Sequence, residues 1–288
     1  MSIDYISVVA LSSLSSASVL IIATLGLAVV FGLMGVINLA HGEFIMFGAY
    51  VALFSVKAGI PFPVAVFIAT ASTALFGAIV ERLIIQRLYG RLFDTMLATW
   101  GLSMIMYQGA VLMFGTVSEG IGMPISNVSI GEFSISTYML FLILVAIVMT
   151  VLTYLLLTKT NYGVMARASI QDAQMAKAVG IESKHVNTMT FSLGAALAGF
   201  AGAILVPAIP ATPTMGFAFV IKAFLIVVAA GPVTLTGSVV AGGGLGFITN
   251  AVSSFWSTAF GDILFFFITI CILRFFPYGI SEKWRKKL

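Results

Sequence analysis

Long apolar stretches recur along this chain, and short polar intervals separate them. They lie at about residues 6–36, 43–57, 62–80, 95–114, 137–158, 187–206, 217–231, 236–255 and 260–276. A helix needs about 20 mostly apolar residues to cross a bilayer. The runs lack the two-residue alternation of a membrane β-strand, and inside lipid every backbone polar group must be paired within the protein. The pattern predicts an all-α membrane protein, a polytopic helical bundle of about nine transmembrane segments. The longest polar interval, about 158–187, leaves room for one interfacial helix and no core, so residues 1–288 read as a single transmembrane domain.

Composition agrees. Of the 288 residues 60% are hydrophobic and 8% are charged, whereas soluble domains carry about 25% charged residues. The mean hydropathy is +1.14. So few charges cannot cover a water-facing surface, and most of this surface must face lipid. The first charge is Asp4, so the cationic n-region of a cleaved signal peptide is missing and the first apolar run is expected to be retained. The single cysteine, Cys271, permits no internal disulfide.

Charge placement orients the bundle. Arg82, Arg87 and Arg91 share one loop; Lys159, Arg167, Lys177 and Lys184 share a second; Arg274, Lys283, Arg285, Lys286 and Lys287 lie at the C-terminus. With nine spans all three groups fall on one side, which the positive-inside rule makes cytoplasmic. The N-terminus is then outside and the C-terminus inside, and the cation-free loop with Glu119 and Glu132 is outside. Lys57 and Lys222 are the two exceptions among fourteen cations. Because the net charge of +4 is built from short loops beside spans, it reports topology and not a nucleic-acid surface.

Four features interrupt the apolar pattern. In Gly32-Leu-Met-Gly-Val-Ile-Asn-Leu-Ala-His-Gly-Glu-Phe44, the polar Asn38, His41 and Glu43 fall between two runs with no proper loop. An ionised carboxylate at the bilayer centre is unfavourable by roughly 2.5–3.5 kcal/mol on insertion scales for comparable charges, so such residues face a bundle interior or a watery cavity. One reading is a broken helix near residues 38–43, beside a transport pathway. The other is a tight interfacial turn with Asn38 as an N-cap and Glu43 at the positive end of the next helix. With two histidines and one cysteine in the chain, a zinc site is not expected.

The polar interval from Asn161 to Ile181 reads as a helix over about 164–179, with Gly180 as its C-terminal cap. Asp172, Met175, Ala176 and Val179 then fall on one face. Such a helix suits docking of a cytoplasmic motor or, alternatively, lying on lipid headgroups with Arg167 and Lys177 on phosphates. The small residues of Gly194-Ala-Ala-Leu-Ala-Gly-Phe-Ala-Gly202 and Gly242-Gly-Gly-Leu-Gly246 predict close helix packing. Gly231-Pro-Val-Thr-Leu-Thr-Gly-Ser238 breaks a run in the second half, which hints at paired interrupted segments. Trp100, Tyr107, Gln108 and Thr234 are candidates to line a pore, and Lys222 to snorkel from its span. No glycine-lysine pair exists for a Walker A loop. No nucleophile or metal set accompanies His41 and Glu43, so no catalytic residue is assigned.

Gly35-Val-Ile-Asn-Leu-Ala-His-Gly-Glu43 with Gly48-Ala-Tyr50, and the pattern Arg167-Ala168, Asp172, Met175-Ala176, Gly180-Ile181, resemble the branched-chain amino-acid ABC transporter permease family. Gly194-Ala195 and Ala198-Gly199 follow at the usual distance. Leu97-Ala-Thr-Trp-Gly101 looks more like its urea/amide branch, and Ala229-Ala-Gly-Pro-Val-Thr-Leu-Thr-Gly-Ser238 departs from the usual Leu-Gly-Gly-x-Gly-Ser. The resemblance implies a non-enzymatic permease subunit of an ATP-driven importer in the bacterial inner membrane, carrying branched-chain amino acids, urea or short amides. It implies a cytoplasmic coupling segment at about 159–186, with Arg167, Ala168, Asp172, Met175, Ala176, Gly180 and Ile181 against ATPases. The implied partners are a second homologous permease, two ATPase subunits that use ATP and Mg, and a periplasmic or extracellular solute-binding protein. No cofactor is expected on this chain itself. The rival reading is an ion-coupled secondary transporter or channel, with Glu43 and His41 as a relay.

Overall fold

Every one of the nine apolar runs forms a helix. The computed structural model describes residues 3–122, 127–130, 133–231 and 233–282. Along them lie α1 (Ile3–Met34), α2 (His41–Lys57), α3 (Phe62–Leu83), a 3-10 turn (Ile85–Leu88) and α4 (Leu92–Phe114). Next come β1 (Asn127–Ile130), β2 (Phe133–Ser136), α5 (Thr137–Lys159), α6 (Asn161–Gln171), α7 (Ala173–Ala178) and α8 (Ser183–Leu205). The chain continues through α9 (Met215–Ala230), α10 (Thr234–Phe255) and α11 (Thr258–Phe275). The all-α expectation is modified only by the antiparallel hairpin of β1 and β2, in which Asn127 faces Ser136. Glu132, expected in an outer loop, lies outside the described residues.

Seven of these helices are long and apolar enough to cross a membrane: α1, α3, α4, α5, α8, α10 and α11. The other two sit where spans were expected but are shorter, with 17 residues in α2 and 16 in α9. At 1.5 Å per residue they reach about 25 and 24 Å, short of the roughly 30 Å hydrocarbon thickness.

Small residues let α8 run through the middle of the bundle. A β-carbon at Gly194 would sit 2.3 Å from Val30 of α1, and one at Gly77 of α3 would sit 2.3 Å from Ala195. One at Gly199 would meet Thr73 of α3 at 2.3 Å, and one at Gly202 would meet the Ile45 carbonyl of α2 at 1.9 Å. The last is a backbone-to-backbone approach and the other three set a small or β-branched side chain directly on a glycine, the packing that lipid-embedded helices use in place of a hydrophobic driving force. Gly246 repeats the device, with Ala17 of α1 at 2.6 Å. Polar rungs add to the α1–α10 contact: Ser12 and Ser13 both donate to Asn250 Oδ1 at 3.2 Å. Leu97, Ile105 and Leu112 of α4 and Ile263, Phe267 and Ile270 of α11 are exposed, as lipid-facing side chains are.

Antiparallel packing gathers Arg82, Arg87, Arg91, Lys159, Arg167, Lys177, Lys184 and Arg274 at one end of the bundle. Lys57 and Glu119 pair at the opposite end. Lys283, Arg285, Lys286 and Lys287 lie outside the described residues.

The helix expected over 164–179 is two helices. Asp172 turns extended (φ −155°, ψ 102°) and accepts from the N–H groups of Gln174 and Met175 at 2.9 and 3.0 Å. It thus caps α7, and a residue committed to capping cannot continue the helix before it. The face proposed for Asp172, Met175, Ala176 and Val179 is split accordingly: Ala176 is buried, whereas Met175 and Val179 are exposed. Gly180 does close the segment as expected. With φ +86° its N–H reaches the Lys177 carbonyl at 3.0 Å, and the Ile181 N–H reaches Ala176 at 2.9 Å, the paired bonds of a Schellman motif.

Candidate functional site: two helix starts meeting at Glu43

After α1 the chain turns back into the bundle without helical structure. Gly35 (φ +63°) ends α1, and residues 35–40 climb along α4. The Leu39 N–H donates to Thr99 Oγ1 at 3.1 Å, and the Ala40 N–H donates to Asn38 Oδ1 at 3.0 Å. These side chains supply what a helix would have supplied to the buried backbone. Helix α2 then starts at His41, whose Nε2 donates to the Ala23 carbonyl at 2.9 Å. Ser103 donates to Glu43 Oε1 at 3.2 Å. Ala23 lies about three turns before the end of α1, and Ser103 about three turns into α4. Asn38, His41 and Glu43 are all buried. The motif is therefore deep in the bundle. The interfacial-turn reading is corrected, since the N-cap position belongs to Ala40 and Asn38 instead folds the preceding turn.

A second short helix meets the first there. Residues 206–214 leave α8, pair Ala211 with Glu119 through two backbone hydrogen bonds of 3.1 and 2.7 Å, and descend to the start of α9. A β-carbon at Gly42 would come 1.9 Å from the Gly216 carbonyl, and one at Gly216 would come 2.5 Å from the Glu43 carboxyl. From this point α2 runs towards Lys57 and α9 towards the cation-rich end. Two N-terminal helix ends thus converge on one carboxyl. Each end carries about half a positive charge and favours an anion by about 0.3–2 kcal/mol. Two together are on the scale of the roughly 2.5–3.5 kcal/mol that a charge at membrane depth opposes. Glu43 Oε2 has no hydrogen-bond partner among the described residues.

The second interruption was expected at 231–238, but that stretch is a tight link at the cation-rich end. Gly231 (φ +82°) ends α9, α10 starts at Thr234, and Ile280 and Ser281 donate to the carbonyls of Ala229 and Ala230 at 2.9 and 3.0 Å. Pro232 lies outside the described residues. The true counterpart is 206–214, whose Pro207, Pro210 and Pro213 each remove a backbone donor and obstruct a helix.

The remaining candidates scatter. Thr234 is buried against Gly32, where a β-carbon would lie 1.9 Å from its Oγ1, so it packs α1 to α10. Trp100 and Gln108 are exposed on α4; Trp100 and Tyr107 flank Phe217, with ring centroids 6.2 and 5.3 Å away. Arg167 donates to the Leu157 carbonyl, and Ala168 is half-buried. Asp172, Met175 and Gly180 are exposed, whereas Ala176 is buried. A buried acid escaped the sequence reading. Glu81 accepts from Tyr89 and, at 2.6 Å, from Thr188, joining α3 to α8. Burial lifts the Tyr89 phenol above its ordinary range and the Glu81 carboxylate adds to this, so Tyr89 holds its proton and donates. Among the described residues no three of His, Cys, Asp and Glu stand together to hold a metal ion.

The family model described as "Branched-chain amino acid transport system / permease component" matches residues 9–273. The chain belongs to this permease family. It is 29% identical over 291 residues to the high-affinity branched-chain amino acid transport system permease BraD of Pseudomonas aeruginosa, covering 94% of each chain. It is 27% identical to LivH of Escherichia coli over 90% of each chain. It also matches LivM of the same bacterium at 28% identity, over 72% of this chain and 55% of that protein. No solved structure matches it. The branched-chain amino acid permease family is thereby established, and with it a multi-pass membrane protein whose relatives are transport subunits.

Proposed function

We propose that this chain is one of two permease subunits of an ATP-driven importer, and that α6 and α7 receive the motor. One observation carries the reading. At the cation-rich end Val164, Ile170, Met175 and Val179 are exposed apolar side chains on helices fastened to the bundle. Arg167 ties α6 to the end of α5, and Tyr162 shares a 2.7 Å hydrogen bond with Thr190 of α8. A partner pressing on this apolar group moves α8, and through its glycines α1, α2 and α3.

In this reading the cation-rich end is cytoplasmic, the N-terminus is outside and the C-terminus inside. The chain crosses nine times, because 35–40 with α2 and 206–214 with α9 each complete one passage. A second, related permease faces this one. Two ATPases below hydrolyse ATP with Mg, and a solute-binding protein delivers its load near residues 115–136. The cargo is a small polar solute, a branched-chain amino acid, urea or a short amide. This chain performs no covalent chemistry. It opens alternately to each side, with the two non-helical stretches as its hinges.

The test is purification with co-isolating subunits, followed by reconstitution into vesicles. Uptake is expected only with the ATPases present and ATP on their side. Uphill uptake by this chain alone under an ion gradient would overturn the reading and favour a secondary transporter.

A further inference from the structure

A groove of about 360 Å³ opens between α3 and α8 at the cation-rich end. Ala74, Ala78 and Arg82 line it from α3, and His185, Ser192 and Ala196 line it from α8. Spacings of four on α3, and of seven and four on α8, put each set on one helical face. Arg82 and His185 are exposed, and among the described residues neither has an ion-pair partner. Glu81 lies behind the groove and is buried, with its two oxygens accepting from Tyr89 and Thr188. No carboxylate lines the groove itself. Past the cations the walls are small or apolar, and the Ser192 hydroxyl is engaged, donating to the Ala74 carbonyl at 2.8 Å. Arg82 lies in the last turn of α3 and His185 in the first turn of α8. The end charges of the two helices therefore offset, and the side chains set the local field. From Arg82 to Ala74 the helix runs about 12 Å, and from His185 to Ala196 about 16 Å. That is one leaflet, half of the roughly 30 Å hydrocarbon thickness.

We infer that this groove is a binding site for an anionic phospholipid, its phosphate on Arg82 and His185 and one acyl chain along the small residues of α3 and α8. A basic pocket between membrane helices at the bilayer surface suits such a headgroup. The Arg82 guanidinium matches phosphate with a fork of donors, and the His185 ring adds another N–H. The trough selects a lipid over a free anion, because a phosphate ion would use the two cations and leave an apolar channel one leaflet long unfilled. A zwitterionic lipid brings an ammonium too, and the groove has no carboxylate to receive it. The preferred headgroup is therefore net anionic. A lipid held there bridges α3 and α8 and, as a ligand of the folded bundle alone, stabilises it. The site depends neither on the solute carried nor on the importer reading.

The test is native mass spectrometry of the detergent-purified chain, titrated with phosphatidylglycerol, phosphatidylethanolamine and inorganic phosphate. Phosphatidylglycerol is expected to be retained about fivefold better than phosphatidylethanolamine, the scale of one cation against an anionic lipid. Arg82→Gln with His185→Gln should abolish this preference. Arg87→Gln with Lys159→Gln should keep it, since these are exposed cations at the same end but outside the groove. Equal losses in the two double variants would show diffuse attraction and overturn the site. Ala78→Phe fills the trough while leaving both cations, and is expected to cut phosphatidylglycerol retention by a similar factor. Unchanged retention there would overturn the place given to the chain. Should that variant fail to fold, competition decides: inorganic phosphate in large excess should leave the lipid bound, and displacement would show a free-anion site instead. Release of the lipid when co-isolating subunits bind would give the groove to a protein and overturn the inference as well.

Discussion

Gly216 of α9 lies against the Glu43 carboxyl of α2 with no room for a side chain between them: a β-carbon there would be 2.5 Å from Glu43 Cδ. The contact joins residues 173 positions apart and fixes where the two shortest apolar helices meet. The carboxyl is held by one hydroxyl and two helix starts, with no ion-pair partner among the described residues.

Gly216→Ala should therefore destabilise the detergent-solubilised protein by about 1–3 kcal/mol, the usual range for overpacking. Glu43→Ala removes the atoms that clash, so the double variant should be more stable than the two single losses predict. A thermal or denaturant series on all four proteins measures the coupling. Losses that simply add, within about 0.5 kcal/mol, would mean that the two residues do not touch.

Two glycines of the bundle should answer oppositely to the same change. A β-carbon at Gly48 would come 2.3 Å from the Gly199 carbonyl and 2.4 Å from its Cα, whereas nothing lies within 4 Å of one at Gly101. Gly48→Ala should destabilise by about 1–3 kcal/mol. Gly101→Ala should stabilise by about 0.5–1 kcal/mol through helix propensity. Equal shifts in unfolding midpoint would refute the central place given to α8.

The segment proposed as the lever, α6 with α7, has two local supports that can be removed separately. Asp172→Ala should loosen α7 by about 0.5–2 kcal/mol through loss of its cap, while Asp172→Asn should be nearly silent. Gly180→Ala forces a left-handed residue and should weaken the segment by about 1–2 kcal/mol. Limited proteolysis across 172–181 reports the loosening. In the assembled importer both damaging changes should raise the ATP hydrolysed per solute moved. A ratio unchanged in loosened variants would remove α7 from the coupling path.

The helices were legible because lipid imposes one rule on every span. All nine apolar runs gave helices within a few residues of their expected bounds. What the sequence concealed is the depth in the bundle at which α2 and α9 begin. Asn38, His41 and Glu43 announced an interruption, but an interfacial turn satisfied the same residues equally well until Ser103 and Ala23 fixed their depth. The second break was legible in Pro207, Pro210 and Pro213, which cannot all sit in a helix, yet the glycine and threonines of 231–238 drew attention instead. Asp172 was read as a face residue because helical spacing says nothing of capping. Lys222 of α9 pairs with Asp262 of α11 at 2.8 Å across forty positions, and no local pattern carries such a relation.

A continuous transmembrane rod transmits a tilt applied in one leaflet directly to the other. Helices α2 and α9 abut start to start instead, one running towards each end of the bundle, with glycines where they touch. At the level of Glu43 these two elements are therefore not single rods, whereas the seven longer helices are.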